Sequence, residues 1–248
     1  SPAGGAYLSF EHISEDVLRA AFGPVIDRLA DNGINLTERP IEVAPIAHYH
    51  MGGIRVDERM ETRIPGLFAS GEAVGGANGA NRLSGNAITE AFVFGERAGR
   101  HAARSSSAEW KPKDAAHTIE VIAAQRVHTR VGTNAWTGKL WIELQALMWD
   151  KVGLFRTGEA LEQALARIRE MQRDDMSRMA IPDDAPFNQA LLDWYELRAG
   201  LLCAEAVTLS AINRTESRGA HQRDDIPDAS PKFERNQTIV LQNGSYRC

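Results

Sequence analysis

Residues 71–88 read Gly71-Glu72-Ala73-Val74-Gly75-Gly76-Ala77-Asn78-Gly79-Ala80-Asn81-Arg82-Leu83-Ser84-Gly85-Asn86-Ala87-Ile88, and the fold turns on them. Just before them, Leu67-Phe68-Ala69-Ser70 has the short apolar character of a strand. Five glycines fall between 71 and 85, and a helical pattern starts at Asn86. A strand end followed by glycine lets a ligand approach the backbone closely. The N–H groups of a helix start face outward and suit an anion or an electron-rich carbonyl. Glu72 can accept hydrogen bonds from sugar-like hydroxyls. Arg82 stands just before the helix start, and its planar fork suits a carboxylate. His48, in a turn-rich stretch upstream, offers a second donor. Together these residues suit a pocket for a cofactor and a small dianion. The residues alone leave a plainer reading open, in which the glycines only connect elements and Arg82 and His48 are surface or structural groups.

Upstream, Tyr7–Phe10 predicts an extended segment. Ser14 can cap a helix with Glu15 and Asp16 in its first turn. Val17, Leu18, Ala21, Phe22, Val25, Ile26 and Leu29 continue it at helical spacing, and Asn32-Gly33 stops it. Short strand signals follow at Ile41–Val43 and Gly53–Asp57, punctuated by Pro40, Pro45 and Pro65-Gly66. Downstream, a helix is expected from Asn86 to Ala103, with Ile88, Ala91, Phe92 and Phe94 as its apolar face. Arg104-Ser105-Ser106-Ser107 and Pro112 break the chain. Beyond them the pattern is almost wholly helical, with candidates at Ile119–Val131 and Leu140–Val152. Thr157 can cap a third, whose stripe is Leu161, Ala164, Leu165, Ile168 and Met171, and a fourth spans Asn188–Arg214. From Glu216 the tail is polar, with a late strand at Thr238–Leu241. The apolar stripes of this half read as helix packing, and nothing in it alone suggests catalysis.

The composition fits an ordinary globular chain. The 248 residues carry 28 Lys+Arg against 33 Asp+Glu, a net charge of −5, with 43% hydrophobic residues. These values exclude a disordered tail, a collagen-like chain and a disulfide scaffold. The mild acidity and the lack of a basic run argue against nucleic acid. Cys203 and Cys248 are the only cysteines, too few for a disulfide framework or a four-cysteine metal site, so a reducing compartment is expected and no metal is assigned. No apolar run approaches the ~18 residues of a membrane span. The opening Ser1-Pro2-Ala3-Gly4-Gly5 reads like the middle of a loop, so a piece of a longer chain is expected.

Six stretches, taken in order, carry a resemblance. They are HYHMGG (48–53), TRIPGLFASGEAVGG (62–76), GANGANRLSGNAI (76–88), VFGERAG (93–99), WDKVGLFRT (149–157) and ESRGAHQR (216–223). Together they resemble the flavoprotein subunit of the succinate dehydrogenase/fumarate reductase family, over essentially the whole chain. The resemblance implies an α/β portion, the end of a capping and FAD-binding region, followed by a mostly helical domain. It would divide the chain into 1–47 (end of a capping domain), 48–104 (last segment of the FAD-binding domain) and 105–248 (helical domain with an irregular tail). It implies FAD as cofactor, with Gly71 and Glu72 among its binding residues, Glu72 at the ribityl region, and the backbone of Asn86, Ala87 and Ile88 at the pyrimidine edge. His48 and Arg82 would hold a carboxylate of succinate or fumarate and orient it for hydride transfer with flavin N5. Arg218, His221 and Arg223 would lock the helical domain to the flavin domain, the alternative being a direct substrate role.

The implied partners are a C4 dicarboxylate, the N-terminal part of the same protein and an iron–sulfur subunit. The implied place is cytoplasmic, at most peripheral on the inner face of the plasma membrane. Several family features are absent from these residues: the G-x-G-x-x-G strand–loop–helix unit, the segment that carries a covalent flavin histidine in some members, and most of the capping domain. The arginine that donates the proton in the family would stand where Ser1-Pro2-Ala3-Gly4 begins, so it lies upstream or is lacking. L-Aspartate oxidase shares the GANR region but tends to carry Cys where Met51 stands. A third expectation, from another class, is a non-catalytic helical scaffold that docks an electron-transfer partner.

Overall fold

The computed structural model describes residues 5–44, 46–105, 116–121, 130–131, 136–182, 187–242 and 244–247. The chain divides into two compact units, Ser1–His50 and Met51–Cys248.

In the first unit, β1 (Ala6–Leu8) pairs antiparallel with β2 (Ile41–Val43), Tyr7 standing opposite Glu42. The first strand thus starts one residue before the expected segment and ends two before it. Helix α1 (Glu15–Asp31) begins where Ser14 predicts, although the Ser14 side chain makes no capping bond. Phe22 leaves helical geometry at φ −132°. Pro24, two residues on, lacks an N–H and its ring crowds the preceding turn, so the helix kinks there. Gly33, at φ 76°, closes the helix in the left-handed region that glycine enters without strain. Leu18 and Ile26 face inward with Leu36, packed by Phe10, Ile13, Leu29 and Ile41, while Val17, Phe22 and Val25 are exposed.

The second unit opens with irregular chain. The strands expected at Gly53–Asp57 and Leu67–Ser70 reduce to single bridges, Ile54 with Val74 and Glu61 with Phe68. Asp57 is the local cause: its carboxylate accepts the N–H groups of Arg59 and Glu61, each at 2.9 Å, and curls the chain back before a ladder can extend. The next helix runs as α2 (Asn86–Thr89), a π-turn (Glu90–Phe94) and α3 (Gly95–Ser105). Its expected apolar face is not the buried one. Ile88 and Phe92 are exposed, whereas Glu90 and Ala98 are buried. A π-turn inserts one residue into the helical register, so 3.6-residue spacing no longer tracks one face across it.

The break expected near 105 runs into residues 106–115, outside the described residues. Of the helix expected at Ile119–Val131, residues 119–121 are helical, in a stretch that begins at 116, and 122–129 lie outside the described residues. Arg130–Val131 form a strand instead, β3, parallel to β5 (Ala180–Ile181).

The remainder is mostly helical, as the patterning predicts. Helices α4 (Thr137–Val152), α5 (Gly158–Glu170) and α7 (Gln189–Asn213) pack on one another, with a π-turn (Met171–Asp175) and the short α6 (Met176–Arg178) following α5. The Thr157 hydroxyl accepts the Ala160 N–H at 3.2 Å and the Asn188 side chain accepts the Leu191 N–H at 3.0 Å. Both satisfy a helix-start donor that has no partner within its own helix. The stripe is buried throughout: Ile168 and Met171 join Leu140, Leu144, Trp194, Leu197 and Leu201 in one core, and Leu161 and Ala164 join Val152 and Ala211 in a second. Gly200 lets α7 approach closely, since a Cβ there would meet the Trp141 ring at 2.5 Å.

After α7, β6 (Gln222–Arg223) pairs parallel with β4 (Phe155–Arg156), and β7 (Val240–Gln242) forms a hairpin with β8 (Ser245–Arg247). The late strand therefore starts two residues after its expected position. No helix among the described residues is long and apolar enough to cross a membrane.

Candidate functional site

The glycine-rich stretch is held by close backbone fits. The Ile54 N–H donates to the Ala73 carbonyl at 2.8 Å and the Gly75 N–H to the Ile54 carbonyl at 3.3 Å. A Cβ on Gly53 would meet the Ala73 carbonyl at 2.5 Å, and one on Gly75 would meet the Gly53 nitrogen at 2.5 Å. The end of HYHMGG and the middle of SGEAVGG are therefore pressed together at a spacing only glycine permits. Gly71 has φ 68° and opens a 3-10 turn (Gly71–Ala73) that exposes Glu72. A Cβ on Gly71 would lie 3.8 Å from the Ala91 Cα, so this turn sits alongside the helix that begins at Asn86.

The loop between them is anchored on alternate residues. Asn78 Nδ2 donates to Glu90 Oε1 at 2.6 Å. The Ala80 carbonyl accepts the Ala220 N–H at 2.9 Å. The Arg82 N–H donates to the Met51 sulfur at 3.1 Å. Arg82 is half-buried. Gly85, at φ 91°, turns the chain into α2. There the Asn86 N–H closes on the Leu83 carbonyl at 3.3 Å and the Ile88 N–H on the Gly85 carbonyl at 3.2 Å. The Ala87 N–H, between them, takes part in neither bond. Asn86 and Ile88 are exposed and Ala87 is half-buried.

The turn that meets Ala80 is built from ESRGAHQR. A Cβ on Gly219, at φ 57°, would overlap the Ala80 carbonyl at 2.4 Å, so a side chain there would push the two segments apart. Glu216 is fully buried and accepts from Arg214 at 2.5 Å, from Arg218 at 2.9 and 3.0 Å, and from the Ser230 N–H at 2.8 Å. These bonds, the Arg218 pair above all, hold its carboxyl down to about 2 against the opposing effect of burial.

His221 is wedged between two elements. Arg156 Nη1 approaches its Nδ1 at 2.6 Å, and its Nε2 meets the Arg214 carbonyl at 2.9 Å. A guanidinium only donates, so Nδ1 accepts and Nε2–H donates, which makes the ring neutral. Burial, assisted by the nearby arginines, pushes its pKa down. Arg223 forks onto Asp225 at 2.7 and 2.8 Å, and Asp225 also accepts the Gly158 N–H at 2.8 Å. The three basic residues of ESRGAHQR thus bind within the helical part, while Gly219-Ala220 makes the contact with the loop. An open cleft of about 440 Å³ lies at this junction, lined by Gly79, Ala80, Arg214, Arg218, His221 and Phe233 among others.

Gly71, Glu72, Arg82 and the helix start at 86–88 all lie in the second unit, with Gly71 beside Ala91 of that helix. His48 belongs to the first unit, where it is exposed in irregular chain. Two contributors were not singled out from the sequence: Glu90, which grips Asn78, and Gly219, which seats Ala80. A glutamate among apolar residues of a helix is the signal for the first. The second has only a glycine beside charged residues to mark it. No group of three or more His, Cys, Asp or Glu among the described residues could hold a metal.

A left-handed glycine leading into a helix start presents outward N–H groups that suit an electron-rich edge, and the exposed carboxylate on the glycine-rich turn beside it can accept hydroxyl donors, so these residues are compatible with FAD. A model of an FAD binding domain matches residues 1–88, and one described as fumarate reductase flavoprotein C-term matches residues 141–246. The chain is 36% identical over 236 residues to a CoM/CoB fumarate reductase protein of Methanothermobacter marburgensis, covering 94% of this chain and 42% of that protein. It is 34% identical over 240 residues to an L-aspartate oxidase of Pseudomonas aeruginosa, covering 95% and 41%. A solved structure of a FrdA variant of E. coli quinol fumarate reductase superposes with a TM-score of 0.84 at 34% identity, over 97% of this chain and 43% of that one. The chain belongs to the succinate dehydrogenase/fumarate reductase flavoprotein family. It spans about two fifths of the length of the relatives it matches.

Proposed function

We propose that these residues serve an FAD-dependent oxidoreductase that interconverts succinate and fumarate, or a closely related C4 dicarboxylate. The observation that carries this reading is Arg82, seated on an anchored loop four residues ahead of a glycine-capped helix start. Glu72 would accept hydrogen bonds from the ribityl hydroxyls. Gly71 leaves room for their approach. The backbone at Asn86, Ala87 and Ile88, at the positive end of the helix, would face the pyrimidine edge and favour negative charge there. When bound, FAD supplies the hydride acceptor or donor, N5. Arg82 would fork onto one carboxylate of the substrate and fix the C2–C3 bond beside N5. His48 is proposed as a second donor on the strength of its place in HYHMGG. The division into 1–47, 48–104 and 105–248 stands as part of the same proposal, as do an iron–sulfur partner and a peripheral place at a membrane.

The similarity to an L-aspartate oxidase keeps one rival reading, oxidation of an amino dicarboxylate at the same arginine. The test uses the full-length parent protein, purified and desalted. A retained flavin absorption band with turnover of succinate or fumarate is expected. Turnover of L-aspartate alone would favour the rival. Failure to retain flavin would favour a scaffold that only docks an electron-transfer partner. In the same assay Arg82→Lys is expected to lose roughly a hundredfold in turnover while keeping its flavin, because an ammonium cannot form the forked contact. Wild-type turnover in that variant would remove Arg82 from the substrate site.

A further inference from the structure

We propose that Glu90 is a positioning residue for Arg82. The inference rests on the reading of Arg82 as the substrate's carboxylate partner. Glu90 is 7% exposed, and a carboxylate withdrawn from water must be met by donors. Asn78 Nδ2 is one, at 2.6 Å. The two residues come from different elements: Asn78 from the loop that carries Arg82, Glu90 from the π-turn one helical turn beyond the helix start. Glu90, the first residue of the π-turn, is buried, while its neighbours Ala91, Phe92 and Val93 are exposed. Isolated π-turns of this kind concentrate at functional sites.

The bond does a task that the two neighbouring anchors of the loop do not. Ala80 is held through its carbonyl by the Ala220 N–H, and Arg82 through its N–H by the Met51 sulfur. Neither contact ties the loop to the helix whose start would face the flavin. The Asn78–Glu90 bond does. It sets the loop against the same rigid element that presents residues 86–88, so the guanidinium and the helix start keep one spacing. A shift of about 1 Å in such a group costs up to roughly a hundredfold in rate.

The test compares Glu90→Ala, Glu90→Gln and, as a control on the exposed side of the same helix, Glu96→Gln in the full-length parent. Glutamine keeps an acceptor oxygen for Asn78 and alanine does not. Three readouts are taken: kcat and KM for succinate and fumarate, flavin content by absorbance, and amide hydrogen exchange of peptides covering 77–85 and 158–170. Glu90→Ala is expected to lower kcat/KM by about ten- to a hundredfold, chiefly through KM. Its flavin content and the exchange of 158–170 stay as in wild type, and exchange across 77–85 accelerates. Glu90→Gln recovers most of both losses, and Glu96→Gln changes neither. Wild-type kcat/KM in Glu90→Ala overturns the proposal, whatever the exchange shows. So does a glutamine variant no better than alanine, or flavin lost in proportion to activity. If wild-type protein turns over no dicarboxylate, the reading of Arg82 fails instead. Loop exchange in Glu90→Ala then decides whether Glu90 positions the loop.

Discussion

The helical bundle and the glycine-rich stretch solve opposite problems. In the bundle, Leu161, Ile168, Met171 and Leu197 are completely buried and their order comes from apolar volume removed from water. Between 51 and 88 the only buried residue is Met60. Order there comes from carbonyls and N–H groups at fixed spacing, from glycines that a methyl group would displace, and from buried ionic contacts reached in the ESRGAHQR turn. Apolar packing is non-directional and tolerates repacking. Polar bonds and backbone fits are directional, so they hold chemical groups in place and fail abruptly when one partner is lost. The difference teaches which region keeps the chain folded and which keeps it accurate.

The largest expected effect falls in the bundle. Leu161→Ala should cost about 3–4 kcal/mol in urea unfolding of the chain, because the site is walled by α4 and α7 and cannot collapse. A loss under about 1 kcal/mol would break the comparison at its apolar end. Next comes Glu216→Ala, expected to cost about 3 kcal/mol. It strands Arg214 and Arg218, whose side chains are 18% and 30% exposed, and that partial exposure keeps the figure at the low end of the range for buried pairs.

A pH series sharpens the same point. Glu216 has a folded value near 2 against an ordinary 4.5, so its contribution is complete above pH 4.5 and is lost as pH falls through about 2. His221, pushed below its ordinary 6.5 by burial, resists the proton that the unfolded chain accepts, so stability also falls as pH drops below 6.5. Acid unfolding of Glu216→Ala should therefore show a weaker pH dependence below 4.5 than that of Leu161→Ala. Equal slopes would mean that Glu216 is not what ties the turn. The smallest effect is Thr157→Ala, about 1 kcal/mol from one helix-start donor left without its hydroxyl. Calorimetry should find a drop in melting temperature, and none would make the Thr157–Ala160 contact incidental.

The bundle was readable because its signal is local and periodic. The stripe Leu161, Ala164, Leu165, Ile168, Met171 keeps one helical face, and all five are buried. Thr157 named its own helix start, and Asn188 stood at the start of the fourth helical span. Reading failed where a local rule met a distant partner. Ile54 and Phe68 stand in stretches with strand signals, yet each makes a single bridge, since Asp57 bends the chain out of register. Ile88 and Phe92 fit a helical stripe by spacing, yet both are exposed and Glu90 is buried in their place, and the π-turn breaks the 3.6-residue register beyond it. Of the candidate site, Arg82 and the glycine-capped helix start were visible from residue type and order. The grip of Glu90 on Asn78 and the seat of Ala80 on Gly219-Ala220 were not, because neither follows from spacing along the chain.

That seat has a consequence in time. Ala80 and Ala220 are about 140 residues apart, and a chain grows at about 5–20 residues per second. The arginine-bearing loop therefore leaves the ribosome on the order of ten seconds before its C-terminal anchor exists. The anchor stands beside a second distant pairing, Phe155–Arg156 with Gln222–Arg223, made across the helices between them. A chain that stops short of Glu216 would keep the residues of its bundle stripe and lose the brace of a loop it left behind long before.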